Sequence, residues 1–516
     1  MTNVVQSVSP WMETTIAPAH SPLTKSTTTD VCVVGGGIVG ITTAYLLARE
    51  GQSVIVLDSR DVGYGETART TAHLSNANDN RYVEIERLHG EEGARLAAES
   101  HTAAIDRIEA IVAEEHLDCG FSRLDGYLFE PPGESTDLLS RELQAAHRAG
   151  LTTVYQLERS VLPSFDTGPS LCFPRQAVIE PLAYLKALAE IIKARGGRIF
   201  SNAQVTAVQG GSSARVDTAG GATVSAGAVV VATNTPVNDR FAIHTKQAAY
   251  RTYVVAVRVP RGSVPHALFW DTANPYHYVR LLEARHNGRE GDLLLVGGED
   301  HKTGQADDAD DRYTRLMEWA RERFEGSGPV EYRWSGQILE TIDGLAFIGV
   351  NPLDAENVFV ATGDSGHGMT HGTIAGILLT ELILGRSNPW AKLYDPGRKT
   401  LRAAWDFARE NLNVVARYAD YILGETLDSA DTIPPGEGGI VRQGLKYLAV
   451  YRDPDGFLHE HSAICPHLGC IVQWNSAEHT WDCPCHGSRF DARGGVLQGP
   501  AVGPLAEIGE VVAHHS

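Results

Sequence analysis

At 516 residues the chain exceeds what one compact core serves, and a prior of roughly 100 to 200 residues per domain gives about three domains. A hydrophobic content of 43% and a charged content of 21% exclude a disordered or membrane-embedded chain. The formal charge of -20 argues against nucleic acid and anionic membrane surfaces as partners, because both would be repelled.

The N-terminal stretch, residues 1–29, has no basic leader, apolar segment or twin arginine, and reads as an extension rather than a signal peptide. No run reaches the roughly 18 apolar residues of a membrane helix, so a cytoplasmic protein with no membrane span is expected. Residues 31–34 (VCVV) meet the glycine cluster GGGIVG, ITTAYLLARE repeats apolar residues at helical spacing until Gly51, and VIVL at 54–57 closes on Asp58. This predicts strand, helix and strand in one βαβ unit. The charged, Ala-rich region from about Tyr82 to Glu115 predicts helices, and PLAYLKALAEIIKAR at 181–195 predicts another, opened by proline and stopped by Gly196 and Gly197. RIF, VTAV and AVVVAT (228–233) predict strands, and from Tyr250 to Gly298 alternating segments such as YRTYVVAVRV predict an antiparallel sheet. VFVATG at 358–363 and the helix THGTIAGILLTELILG follow, then a polar helix near 398–423 and DTIPPGEGG, a stretch suited to a domain boundary. From about residue 430 the texture predicts a small β domain. Cys32, Cys119 and Cys172 are scattered and expected to be small buried residues, whereas the other four cysteines are close together near the C-terminus.

Gly35, Gly37 and Gly40 make a GxGxxG pattern, which a chain with 52 glycines would show by chance roughly 0.5 times. Context gives it weight: a strand precedes it, a helix follows, and Asp58 ends the next strand. Gly35 then permits the tight turn, Gly37 lets the backbone approach a pyrophosphate, and Gly40 lets helix and sheet pack closely. Free N–H groups at the helix N-terminus would then face the phosphates, and Asp58 would accept hydrogen bonds from the adenosine ribose hydroxyls. On this unit, with YGETARTTAHLS after Asp58, VVVATNT at 229–235, LLLVGGEDHKTG at 293–304 and DGLAFIG plus VFVATGDSGHGMTHG within 343–372, the chain over about 30–390 resembles the FAD-dependent oxidoreductases of the D-amino-acid oxidase superfamily.

The resemblance implies an α/β (α+β) unit at 30–395. Within it, a Rossmann-like FAD-binding domain (about 30–80, 175–240 and 340–390) carries an antiparallel-sheet substrate domain (about 81–174 and 241–339). It also implies flavin neighbours: Arg69, Thr70 and Thr71 from the early loop, and Gly363, Ser365, Gly366, His367, Gly368 and Met369 at a helix N-terminus whose dipole would stabilise anionic reduced flavin. The cysteine that links FAD in sarcosine oxidase is absent from SGHGM. His73 is near the place of a histidyl link, but its setting RTTAHL departs from the covalent enzymes, and a structural role is expected. An amine or amino acid would lie on the sheet so that hydride leaves the carbon next to nitrogen. Arg251, Tyr253, Tyr276, His277, Tyr278 and Arg280 are on the strands expected to hold it, with salt bridges and core packing as the structural alternative. Arg280 matches the arginine with which amino-acid members bind a carboxylate, and Arg280, Tyr253 and His367 are the expected catalytic residues.

Near the C-terminus, Cys465-x-His467 and Cys483-x-x-His486 are separated by 15 residues. Zinc accepts two Cys and two His, but a finger has both cysteines first; here each loop gives one of each, which suits two irons, one held by thiolates and one by imidazoles. CPHLGC, CPCHGSRF and GPA at 499–501 closely resemble Rieske domains, over about 430–516. The resemblance implies an all-β domain (428–516, after a helical linker at 396–427) with a [2Fe-2S] cluster. It further implies a loop-to-loop disulfide between Cys470 and Cys485, and a serine, Ser488, that bonds a cluster sulfide. Phe490 replaces the tyrosine of the cytochrome bc complexes, so a potential below the top of the roughly -150 to +300 mV Rieske range is expected.

The expected function is a FAD-dependent dehydrogenase of a small amine or amino acid, with electrons relayed through the cluster to an external one-electron acceptor. His467 or His486, at the exposed edge of the cluster, is the expected entry or exit. The alternatives are a redox sensor, an electron-transfer reductase, which needs a second dinucleotide site that the sequence lacks, and an oxygen-using amine oxidase with a structural Rieske domain. A Rieske oxygenase would need a further iron domain after the cluster.

Overall fold

The computed structural model describes residues 7–15, 20–131, 137–238, 243–283, 291–352, 354–399 and 426–508. The first strand, Thr27–Val34, pairs in parallel with Val54–Leu57 on one side and Thr223–Val231 on the other. Its last four residues are buried, as a run of β-branched residues covered on both faces should be. Val358–Thr362 extends the sheet in parallel beyond Thr223–Val231, and Arg198–Phe200 extends it beyond Val54–Leu57. The helix Ile38–Arg49 lies over it and crosses the helix Gly368–Ile383 at small residues. A Cβ on Gly372 would be 2.7 Å from Ile38 Cγ2 and one on Gly376 2.6 Å from Thr42 Cγ2, so glycine sets that approach. Both predicted helices at 82–115 and 181–195 form. The first, Tyr82–Glu114, is broken at Gly90, and the second, Pro181–Ala194, has its proline in the first turn.

The second sheet runs Val330–Thr341, Gln247–Val259, Asp292–Lys302, His277–Leu282, Leu268–Asp271, Ser122–Phe129, Ser170–Val178 and His73–Leu74. It is mostly antiparallel and takes in residues beyond the expected substrate-domain limits, since His73 pairs with Val178. The helix Ala309–Arg323 covers one face, with Leu316 and Ala320 in a core with Val255 and Val257. Ser170–Val178 was hidden in the sequence by Pro174 and by Arg175, whose φ of 59° interrupts two buried runs.

The C-terminal unit has two small sheets, one of Gly438–Gln443, Lys446–Arg452 and Leu458–Ser462, the other of Gln473–Asn475, Thr480–Asp482, Arg489–Asp491 and Val496–Gln498. Leu427 bridges to Val441 and packs with Ile433, so the Pro/Gly stretch at 431–439 is inside this unit rather than at its edge. The expected helix at 398–423 falls almost wholly outside the described residues. Among the described residues no helix is long and apolar enough to cross a membrane.

Candidate functional site

The glycine turn is closely packed: Gly35 has φ 109°, and a Cβ there would be 2.3 Å from the Ala232 carbonyl oxygen, while one on Gly40 would be 1.9 Å from the Gly35 oxygen. Gly37 caps the helix without a side chain of its own, and the Thr67 hydroxyl accepts the Ile38 N–H at 3.1 Å beside it. Asp58 accepts from the Gly36 and Arg60 N–H groups at 2.6 and 2.8 Å. A cavity of about 300 Å³ begins here and is lined by Gly35, Gly37, Asp58, Arg69, Thr70, Thr71, His73, Gly366, His367, Gly368 and Met369. These features fit a dinucleotide: a glycine turn and helix N-terminus in the cavity wall with a hydroxyl beside them, and an acid at the strand end. Gly40 and Gly363 do not line it. Gly363 packs against Thr341, whose Cγ2 would meet a Cβ at 2.3 Å, and Ser365 bonds Thr341 from a buried position. His73, beside Trp270 and Tyr278, shares its Nδ1 with Thr71.

Strand alternation sorts the expected substrate residues. Thr252, Trp270, Tyr276 and Tyr278 line the cavity. Tyr253 and His277 point to the other face: Tyr253 bonds His301 at 2.8 Å, and His277 bonds Asp271 at 2.8 Å and stacks on Trp319. Arg280 is a correction to the carboxylate-binding expectation. It is 2% exposed and outside the cavity lining; its Nη1 donates to the carbonyls of Thr71, Ala72 and Ile179, its Nε is buried with no hydrogen-bond partner, and the guanidinium lies over Trp11, so it faces backbone rather than the cavity. Burial lowers its pKa to about 9. Asp79 and Asp364, which the sequence reading passed over, line the cavity, and Asp300 and Glu340, passed over as well, interact with them electrostatically but are outside its lining. Burial, with the neighbouring carboxylates, raises Asp300 and Asp364 to about 6 and Glu340 to about 8. The dense polar run SNANDN at 75–80 was the available signal for Asp79; single acids on long strands gave none.

In the C-terminal unit Cys465 and Cys483 are buried at 1% and 2% exposure. The rings of His467 and His486 meet edge to face with centroids 5.0 Å apart, and His486 Nδ1 is buried with no hydrogen-bond partner. Cys470 and Cys485 form a disulfide with Cα atoms 6.4 Å apart, clasping the two loops, and its sulfurs lie within 4.8 Å of the Cys483 sulfur. Ser488, fully buried beside the Cys465 thiol, accepts from the Ala501 N–H at 3.0 Å. Two buried thiols, two converging imidazoles and a disulfide over them fit a two-iron cluster with mixed ligation.

The histidines are not at an open edge. Both are half-buried, and His244, itself 3% exposed, packs on His467 and His486 at 4.9 and 5.3 Å between centroids. Gln337, 1% exposed and part of the cavity wall, donates to the Gly487 carbonyl at 3.0 Å. Glu66 and Thr303 hold Gln337 in place, Glu66 accepting from its N–H at 2.6 Å. Residues 496–499, 501 and 502 line the same cavity, and Gln204 donates to the Val502 carbonyl at 2.8 Å. Buried Glu478 completes the joint, 2.8 Å from Arg251 and 3.4 Å from Arg69, with Arg489 on its other oxygen. These cations hold its carboxyl well below the usual carboxylate range. Arg251 therefore joins the two units and does not face a substrate.

Residues 30–382 match the FAD dependent oxidoreductase family and residues 426–509 the Rieske [2Fe-2S] domain. A putative Rieske 2Fe-2S iron-sulfur protein, YhfW, of Bacillus subtilis (strain 168) is 33% identical over 96% of this chain and 97% of its own. A gamma-glutamylputrescine oxidoreductase of Escherichia coli (strain K12) is 28% identical over 76% of this chain and 95% of its own. The crystal structure of glycine oxidase from Geobacillus kaustophilus superposes with a TM-score of 0.59 at 18% identity, covering 72% of this chain and 99% of that one, a likeness of fold.

Proposed function

The chain belongs to the FAD dependent oxidoreductase family and carries a Rieske [2Fe-2S] domain, and from that premise we propose that it dehydrogenates an amine and relays the electrons internally to the cluster and on to an external one-electron acceptor. FAD, when bound, supplies a two-electron hydride acceptor that can give up electrons singly. The chain's own residues would do the rest. Gly35, Gly37, Asp58, Arg69, Thr70 and Thr71 would hold the dinucleotide. The N–H groups at Gly368 and Met369 would face the flavin ring with the positive end of a helix, and His367 would border the substrate. Cys465 and Cys483 would hold one iron, His467 and His486 the other, with Ser488 bonding the cluster.

One observation carries the relay: a single side chain, Gln337, is at once in the wall of the cavity and bonded to the carbonyl of Gly487, the residue next to the proposed cluster ligand His486. His244 covers both histidines, and the contact through Gln337 supports reading the ligand loop as the entry for electrons from the flavin. An oxidase with a merely structural Rieske unit gives no reason for the ligand loop to lie against the cavity. Anaerobic mixing with amines, followed by visible absorbance and electron paramagnetic resonance, tests the reading. Flavin bleaching with cluster reduction supports the relay, and bleaching with a cluster that stays oxidised rejects it.

A further inference from the structure

Across residues 68–72 every backbone carbonyl is held by a side chain from elsewhere in the chain. Ser9 Oγ donates to the Ala68 carbonyl at 2.6 Å, Trp334 Nε1 to that of Arg69 at 2.7 Å and Trp11 Nε1 to that of Thr70 at 2.8 Å. Arg280 Nη1 donates to the carbonyls of Thr71 and Ala72 at 2.5 and 3.1 Å. None of these four side chains lines the cavity, whereas Arg69, Thr70 and Thr71 do. In a trans peptide the N–H points opposite to the carbonyl, so carbonyls of Arg69 and Thr70 drawn away from the cavity turn the Thr70 and Thr71 N–H groups toward it. Among the described residues neither of these N–H groups has a hydrogen-bond partner, and the next, of Ala72, is taken by Thr70 Oγ1 at 3.0 Å. Ala72 has φ 55°, a region that L side chains rarely adopt, so the loop is kept in this shape by what grips it.

The N-terminal segment supplies much of the grip, and it precedes the residues that match either family, 30–382 and 426–509. Ser9 is fully buried and Trp11 is 1% exposed. The Trp11 ring also lies 5.1 Å from the Arg280 guanidinium and so backs the donor to the last two carbonyls. Ser7 reaches the C-terminal unit: its hydroxyl donates to Glu478 Oε1 at 2.8 Å and accepts from Arg69 Nη1 at 3.0 Å.

We propose that residues 7–11 are a positioning segment for the flavin: through Ser9 and Trp11 they fix the loop so that the Thr70 and Thr71 N–H groups stand as a pair of donors toward an electron-rich edge of the bound cofactor. Fixed donors favour added electron density on the group they face. The segment therefore raises the readiness of the flavin to accept a hydride as well as retaining it. The inference rests on FAD filling this cavity and not on the substrate or the relay, so a failure of either of those leaves it standing.

The test compares the holoprotein with Trp11→Phe, which keeps an aromatic ring beside Arg280 and removes the bond to Thr70, and with Ser9→Ala. Thr14→Ala is the control, because exposed Thr14 bonds only the Pro10 carbonyl of its own segment. FAD release on dilution is followed by flavin fluorescence, the flavin midpoint by equilibration with reference dyes, and the fold by urea unfolding read at the cluster absorbance. Trp11→Phe and Ser9→Ala are each expected to release FAD about 5-fold faster, the worth of one hydrogen bond, and to move the flavin midpoint to lower potential. Thr14→Ala is expected to match wild type in both. Where Trp11→Phe does not fold, Ser9→Ala decides by the same readings. A flavin midpoint that stays at the wild-type value in the loop-holding variants overturns the proposal, even where the urea midpoint falls, since the segment then only packs. A wild-type protein that binds no FAD overturns the cofactor reading and this inference with it, an outcome seen before any variant is made.

Discussion

At the scale of single residues, the joint between the two units depends on Glu478. It is a buried acid among Arg251, Arg69 and Arg489, and removing it takes away the carboxylate that Arg251 and Arg69 pair with, while Arg489 keeps Asp482 at 2.9 Å. Glu478→Ala is therefore expected to cost about 3–5 kcal/mol, read as a lower urea midpoint. Because its folded pKa is depressed, the contribution is full above the ordinary carboxylate value of 4.5 and is lost as pH falls through the folded value. The wild-type advantage over the variant should thus shrink in acid. Gly487 is the second point. Its φ is 76°, and a Cβ there would be 2.6 Å from Ala249 Cβ and 2.7 Å from Gln337 Nε2. Gly487→Ala should push the ligand loop off the cavity wall, slowing cluster reduction while flavin bleaching keeps its rate in rapid-mixing traces. Arg280→Met should lower FAD retention, measured by the flavin-to-protein absorbance ratio after gel filtration, because Arg280 holds the Thr71 and Ala72 carbonyls of a cavity loop.

At the scale of elements, what could be read in advance was local. The strand, glycine turn and helix at 27–49 and the four cluster ligands are written within short stretches, and backbone geometry forces them wherever they occur. What could not be read was which face of a long strand meets the cavity. Tyr276 and Tyr278 line it, while His277 between them and Tyr253 two strands away point to the opposite face. Arg280 follows Tyr278 on the same side by alternation, but two residues further on it meets backbone carbonyls and Trp11 instead of the cavity. Asp79, Asp364, Asp300 and Glu340 come from two loops and two strands far apart in the chain, so no window of sequence contains them together. Gln337 was equally silent in SGQILE. On the strand Val330–Thr341 it is the residue whose side chain leaves the sheet toward Gly487. Gln337→Leu removes that bond at nearly constant volume and is expected to slow flavin-to-cluster transfer, with the cluster's paramagnetic spectrum as the control that its ligands are intact.

At the scale of the whole molecule, a two-electron flavin unit and a one-electron iron–sulfur unit share one wall. The C-terminal segment Val496–Gln498 and the residues after it close one side of the cavity, so the second unit completes the first rather than hanging from it. The sequence reading had the histidine ligands at an exposed edge, as an isolated small domain would have them. The long-range docking of His244 is what covers them, and no local pattern could report it. The central claim is the internal relay, and the most direct measurement is single-turnover reduction by an amine in the absence of oxygen at several protein concentrations, following flavin and cluster together. The account predicts that the cluster is reduced within the same turnover as the flavin is bleached, at a rate independent of protein concentration. A cluster that stays oxidised beside a bleached flavin, or a rate that rises with protein concentration, would contradict it.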